Sequence, residues 1–261
     1  MKDTAAKLVL SGDGPVRRLT ISNPGQANAI TLDMHRELAY IWRELAIDPT
    51  VHGIVLAGEG AVFSAGGDMD MLRTITADGD IRRRVFAEAE LILEEMLRFP
   101  KPVVAAVRGF AVGLGVSLAV ACDVVLLAED AYLSDPHVRI GVVAGDGGAA
   151  LWPSLTPTLR TREWLYCGDK IPAAVAVEVG LASRTVADEL LLEEAERVAT
   201  RMTALPRHAF ELTKRAVNMP LLQTSRQVMP FAIAAEQLTF HDDEIRETVE
   251  RFDRKATTRE H

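Results

Sequence analysis

The stretch KPVVAAVRGFAVGLGVSLAVACDVVLLAEDAYLSDPHVRIGVVAGDGGAALW, residues 101–152, decides the fold. Residues 103–107 are apolar without alternation, as in a strand buried on both faces. They run into a turn rich in glycine: Gly109, Gly113 and Gly115. A short apolar helix is predicted over 116–122 and a second buried strand over 124–128. A loop carrying His137 follows, then a glycine-rich turn carrying Asp146. Glycine lets backbone approach a ligand closely, and a helix N-terminus directs free N–H groups at negative charge. A strand feeding such a turn is a place for a developing oxyanion.

Working outward, residues 7–10 and 16–21 flank Ser-Gly-Asp-Gly-Pro and read as a hairpin. Asn23-Pro24-Gly25 stops the second strand. Thr31 is placed to cap a helix over 32–47, with Leu38, Ile41, Trp42 and Leu45 on one face. A strand over 51–56 leads into Ala57-Gly58-Glu59-Gly60-Ala61-Val62-Phe63-Ser64-Ala65-Gly66-Gly67-Asp68. Asp68 is expected to cap a short helix. An amphipathic helix opens at Asp80 and runs to about Arg98. Its basic run Arg82-Arg83-Arg84 reads as a solvated face. Beyond Trp152, helices are predicted over 155–168, 188–204, 206–217, 224–240 and 242–254. The nearest thing to a domain boundary is the connection 182–187.

Composition narrows the function classes. The 261 residues, 48% hydrophobic, suffice for one sizeable core with a small appended element. Lys and Arg total 29 against 37 Asp and Glu, a net charge of -8. That balance lacks the basic face a nucleic-acid binder needs. Cys122 and Cys167 have neither disulfide-framework nor zinc spacing. No signal peptide or membrane span is expected, and the chain reads as cytoplasmic.

Together these segments resemble the crotonase superfamily, also called the enoyl-CoA hydratase/isomerase family, over nearly the whole chain. Residues 101–152 are similar to its K-P-V/T strand, G-G-G-x-E, C-D, P-E-x-x-x-G and P-G-x-G-G. Residues 58–68 resemble its G-x-x-x-F-x-A-G-x-D loop, and Ala27-Asn28-Ala29-Ile30 its A-L/F-N-A-L/M segment. Gly168-Asp169-Lys170-Ile171-Pro172-Ala173 resembles T-G-x-x-I/F-x-A, and Phe252, Arg254 and Lys255 resemble the terminal F-x-x-K/R-R/K. The resemblance implies an α/β fold, a crotonase-type spiral of repeated ββα units over 1–185. A C-terminal helical region over 186–261 would pack on a neighbouring subunit, in a homotrimer or a dimer of trimers (a hexamer). It implies a lyase or isomerase of fatty-acid metabolism that holds a thioester enolate between two backbone amides. CoA would enter as part of the substrate, with no separate cofactor and no metal. By position the oxyanion amides would be those of Ala65 and Leu114, the triplet here being Gly113-Leu114-Gly115. A leucine there requires negative φ and narrows the pocket. Ala27, Asn28 and Ala29 would lie along CoA, and Lys255 would help bind its nucleotide.

The departures carry the chemistry. Family hydratases use two glutamates, in G-G-G-x-E and in P-E, and Ser117 and His137 stand at those positions. Ser117, on an apolar helix, reads as a small packing residue. His137 titrates near neutral pH and suits proton transfer. Asp146, nine residues on, is placed to orient it as a His–Asp dyad. Pro-His followed by Gly-Asp-Gly also resembles a narrower group, the β-diketone hydrolases of the 6-oxocamphor hydrolase kind. That group carries a glutamate in a late helix, and Glu236 falls in that context. His35, Glu37, Leu38, Ala39 and Tyr40 resemble its H-x-E-L-A-Y helix. Three readings stand. One is enoyl-CoA hydration or isomerisation with His137 as general base. Another is hydrolytic C–C cleavage of a β-dicarbonyl compound, with Glu236 assisting. The third is a non-catalytic acyl-CoA-binding protein.

Overall fold

The computed structural model describes residues 6–259; the side chains at 253 and 255–259 lie outside the description. β1 (Lys7–Ser11) and β2 (Val16–Ser22) pair antiparallel, with Leu8 opposite Ile21 and Leu10 opposite Leu19. From β2 the sheet continues in parallel through β3 (Gly53–Gly58), β4 (Val103–Val107), β6 (Val124–Ala128) and β9 (Arg184–Val186), in the order β1-β2-β3-β4-β6-β9. A smaller sheet joins β5 (Phe110–Val112), β7 (Tyr132–Ser134) and β8 (Ile171–Pro172) in the order β5-β7-β8. β4 is buried at every residue, which is why its sequence shows no polar alternation.

The helices are α1 (Leu32–Ile47), α2 (Met69–Ala77), α3 (Gly79–Arg98), α4 (Leu114–Val120), α5 (Gly148–Leu155), α6 (Thr158–Cys167), α7 (Ala173–Val179), α8 (Leu191–Thr203), α9 (Arg207–Thr239) and α10 (Asp243–Arg259). Capping residues set several starts. Thr31 Oγ1 accepts from Met34 N at 3.3 Å, and Asp68 Oδ1 from Met71 N at 2.6 Å. α3 is capped by Asp78, which accepts from Asp80 N and Ile81 N, so it begins at Gly79 rather than Asp80. α1 buries Leu38, Ile41, Trp42 and Leu45. It packs on α3, and His35 Nδ1 and Glu88 Oε2 meet across the two helices at 3.2 Å.

Four further sequence expectations need correction. The short apolar helix starts at Leu114, two residues early, because Gly113 turns the chain at φ 54. The helix expected over 155–168 is two, α5 and α6, separated by the extended backbone of Thr156 and Pro157. The helices expected over 206–217 and 224–240 are one helix of 33 residues, α9, which carries Pro220 and Pro230 inside it. Each proline removes one backbone donor and favours a kink. A seam of Ser225, Met229, Ala232, Ile233 and Glu236, buried where α9 packs on α3 and α5, holds the helix through them. Finally, Arg82 is not on a solvated face. It is buried and donates to the carbonyls of Ile75 at 2.7 Å and Thr76 at 3.2 Å, tying α2 to α3.

α8 lies on β3 and β4 and contributes Leu191, Ala195, Val198 and Ala199 to the core. Cys122 is half-buried and Cys167 exposed; both are free, and burial pushes the Cys122 thiol up. Among the described residues no helix is long and apolar enough to cross a membrane.

Candidate active site

The loop after β3 meets the β5–α4 turn beside the small sheet. Ser64 pairs with Ala111, and its hydroxyl donates to Asn28 O at 2.8 Å and accepts from Gly66 N at 3.1 Å. Ile30 N donates to Gly66 O at 2.7 Å, and Asp68 N donates to Ile30 O at 3.0 Å. Ala65 N–H donates to Ala27 O at 3.0 Å. Ala65, expected as an oxyanion donor, lines the same cavity, and in this structure its amide is turned to Ala27 O. Gly67 N–H has no protein partner among the described residues, and Gly67 is exposed. Gly66 between them adopts φ +86 and sits so close to the facing turn that a Cβ would lie 2.7 Å from Val112 O and 3.5 Å from Leu114 N. Leu114 opens α4, and its N–H is one of the first-turn donors that a helix leaves unpaired. Only Ala27 and Asn28 among the described non-glycine residues have positive φ, so Leu114 meets the requirement set for it.

Gly67 and Leu114 line one cavity of about 200 Å³, together with His137, Asp146 and Glu236. His137 opens the 3-10 turn His137–Ile140 after β7. Its Nδ1 bonds Asp135 Oδ1, and its Nε2 lies 3.4 Å from Asp146 Oδ2. The imidazole therefore stands between two carboxylates. Asp146 is on the Nε2 side, and the partner at Nδ1 is Asp135. Asp135 is buried, its Oδ2 has no hydrogen-bond partner, and that oxygen lies where a side chain on Gly148, the first residue of α5, would have to go. Asp146 Oδ1 accepts from Ser117 Oγ at 3.4 Å. Ser117 is fully buried in the wall behind it, with no histidine beside it. Glu236, from α9, is buried with its Oε2 unpartnered, and that oxygen lies where a side chain on Gly145 would have to go.

Two protonation states are displaced. Burial works to lower the His137 pKa, but the charges and hydrogen bonds of Asp135 and Asp146 outweigh it and raise the value well above the ordinary 6.5. Burial raises Glu236 well above 4.5, reinforced by Asp146 and Asp135 and opposed by His137. The surroundings thus favour the charged form of the imidazole and the neutral form of the Glu236 carboxyl. Donor atoms of Asp135, His137 and Asp146 lie within 4.8 Å of one another, close enough to hold a metal ion. With His137 protonated, its ring already supplies the positive charge between the two carboxylates.

The residues expected along CoA behave unequally. Ala27 is exposed, whereas Ala29 is buried. Asn28 is buried too: its side-chain oxygen accepts from Asn23 N, and its Nδ2 donates to Glu59 O and Val62 O at 2.8 Å. The Asn28 amide therefore builds the turn. The Lys255 side chain lies outside the described residues. Sequence reasoning singled out neither Asp135, the Nδ1 partner of His137, nor Gly67, whose N–H is left unpartnered among the described residues. The first had a signal in the two-residue spacing of Asp135-Pro136-His137. The second had one in its place after a glycine that must take positive φ.

A profile described as Enoyl-CoA hydratase/isomerase matches residues 12–259. The chain belongs to this family. Its relatives include a probable enoyl-CoA hydratase of Mycobacterium leprae, 31% identical over 211 residues, covering 81% of this chain and 80% of the relative. Another is a crotonyl-CoA hydratase of Syntrophomonas wolfei, 30% identical over 251 residues and 94% of both chains. A crystal structure of an enoyl-CoA hydratase/isomerase from Mycobacterium paratuberculosis superposes with a TM-score of 0.91 at 38% identity, over 95% of this chain and 99% of that one. A β-diketone hydrolase from the cyanobacterium Anabaena shares the fold, with a TM-score of 0.82 at 24% identity over 89% and 93% of the two chains. The chain has the α/β crotonase fold of two sheets and long C-terminal helices, and the family implies an acyl-CoA substrate.

Proposed function

We propose that this family member stabilises an enolate between the N–H groups of Gly67 and Leu114 and moves protons with His137, Asp146 and Glu236. The observation that carries this is the shared cavity: two unpartnered backbone donors and three ionisable side chains line the same space. Each oxyanion donor is worth on the order of 3 kcal/mol of barrier, because its charge is fixed before the reaction and screened from water. Asp135 holds Nδ1–H and sets the tautomer; deprotonated His137 then offers Nε2 as a base on the side of Asp146. Glu236, held neutral by burial, is the acid.

In hydration of an enoyl thioester, His137 takes a proton from water and the oxygen adds at the β-carbon. The π electrons move to the enolate at the two amides, and the α-carbon then takes a proton from Glu236. Two free cysteines and an acidic surface suit a cytoplasmic enzyme. The same groups support a second reading, favoured by the buried neutral Glu236 beside His137. There the activated water adds to a ketone, the bond between that carbon and the α-carbon breaks, and the released electron pair forms the enolate that Glu236 protonates. Crotonyl-CoA and cyclohexane-1,3-dione, supplied separately to the wild-type protein, divide the two. Loss of the enoyl-thioester absorbance supports the hydratase reading, and loss of the diketone absorbance the C–C hydrolase. If neither substrate changes, and the α-protons of butyryl-CoA do not exchange in D2O, the enolate mechanism falls.

A further inference from the structure

Apart from the groups already described, one polar side chain interrupts the cavity wall. His35, on α1, lines the cavity among Met71, Val85, Phe86 and Ala89. It is 2% exposed, and Glu88 behind it is 5% exposed. The Nδ1 atom points to Glu88 Oε2 at 3.2 Å, while Arg36 Nε approaches the other carboxylate oxygen at 3.8 Å from the outside. A carboxylate only accepts, so Nδ1 carries the hydrogen and the ring orientation is fixed. Nε2 then has no hydrogen-bond partner among the described residues. An apolar side chain would complete this wall without the cost of burying an imidazole and a carboxylate. The pair instead leaves one nitrogen uncommitted in a wall that faces the ligand.

We infer that His35, keyed by Glu88, is a second polar anchor, and that the substrate carries a hydroxyl remote from the carbonyl held by Gly67 and Leu114. The inference rests on the enolate-binding reading of the same cavity. With Nδ1–H given to Glu88, Nε2 is an acceptor and takes a hydrogen bond from a hydroxyl. Glu88 touches no substrate and is a positioning residue.

Calorimetric titration with two matched pairs tests this: hexanoyl-CoA against 6-hydroxyhexanoyl-CoA, and hexanoate against 6-hydroxyhexanoate. In the wild type the hydroxy compound should bind about tenfold more tightly within at least one pair, the worth of one well-placed hydrogen bond. In His35→Phe and in Glu88→Gln the preference should fall to about twofold or less. An imidazole kept only to join α1 to α3 would lower stability when changed and leave the ratio unmoved. A wild-type ratio near one, a ratio that survives both substitutions, or no binding of either hydroxy compound at millimolar concentration overturns the inference. Failure of the enolate reading shows elsewhere, as absent α-proton exchange in the wild type, and does not enter the ratio.

Discussion

At the scale of single residues, the two carboxylates around His137 govern how the site responds to pH. Both hold the ring in its charged form, so as a base it becomes active only as pH rises through a value well above 6.5. The pH profile of kcat/KM should therefore climb on its acid side at alkaline pH. Asp135→Asn removes one of the two stabilising charges and should move that limb to lower pH; an unmoved limb would mean that Asp135 does not act on the ring. Glu236 shifts in the same sense for a different reason, since burial favours its neutral form. Glu236→Gln keeps the shape and removes the proton, and turnover should fall by about 10²–10⁴. Stability gives a second readout. A raised acid pKa means that folding loses stability as pH rises from about 4.5 through the folded value. The raised histidine contributes stability that is present below 6.5 and lost as pH rises through its own folded value. Both effects weaken the wild type at alkaline pH. In thermal melts at increasing pH, Glu236→Gln should lose less than the wild type.

Elements decide whether these residues meet. The β3 loop and the β5–α4 turn come together at the proposed oxyanion site only because Gly66 takes φ +86 against Val112 O. Gly66→Ala puts a Cβ into that contact and into a left-handed conformation. It should cost about 1–3 kcal/mol in denaturant unfolding and lower turnover by displacing Gly67 N–H. Wild-type stability and turnover in this variant would show that the two segments are not held so closely. Much of this scale was legible in the chain. Unbroken apolar runs gave β4 and β6, and Thr31 and Asp68 announced the starts of α1 and α2. The donor we propose lies two residues beyond the one the motif gives, because a motif locates a loop, while the free N–H depends on which amides the fold engages. Here Ala27 O takes Ala65 N–H. The pairing of His137 with Asp135 was hidden for a similar reason: Asp135 reads as a turn residue until the 3-10 turn folds the imidazole back over it. The single long α9 was hidden by its prolines, since only packing on α3 and α5 shows that the helix continues.

For the whole molecule, the question is what covers the outer faces of α6 and α9. Leu159 and Tyr166 on α6 are 76% and 71% exposed, and Phe231 and Leu238 on α9 are 76% and 70% exposed. Each pair is seven residues apart and so lies on one side of its helix. Such apolar stripes fit a self-associating surface, in keeping with the proposed trimer. Phe231→Asp combined with Leu238→Asp should reduce the sedimenting mass from oligomer to monomer, and an unchanged mass would place the contact elsewhere. The enolate chemistry itself is tested most directly by turnover of His137→Ala beside the wild type, on crotonyl-CoA and on cyclohexane-1,3-dione. Whichever substrate the wild type consumes, the variant should be at least ~100-fold slower at saturating concentration, since a general base supplies that much. A variant within a few-fold of the wild type would contradict the role of His137 and leave the two backbone amides without their base.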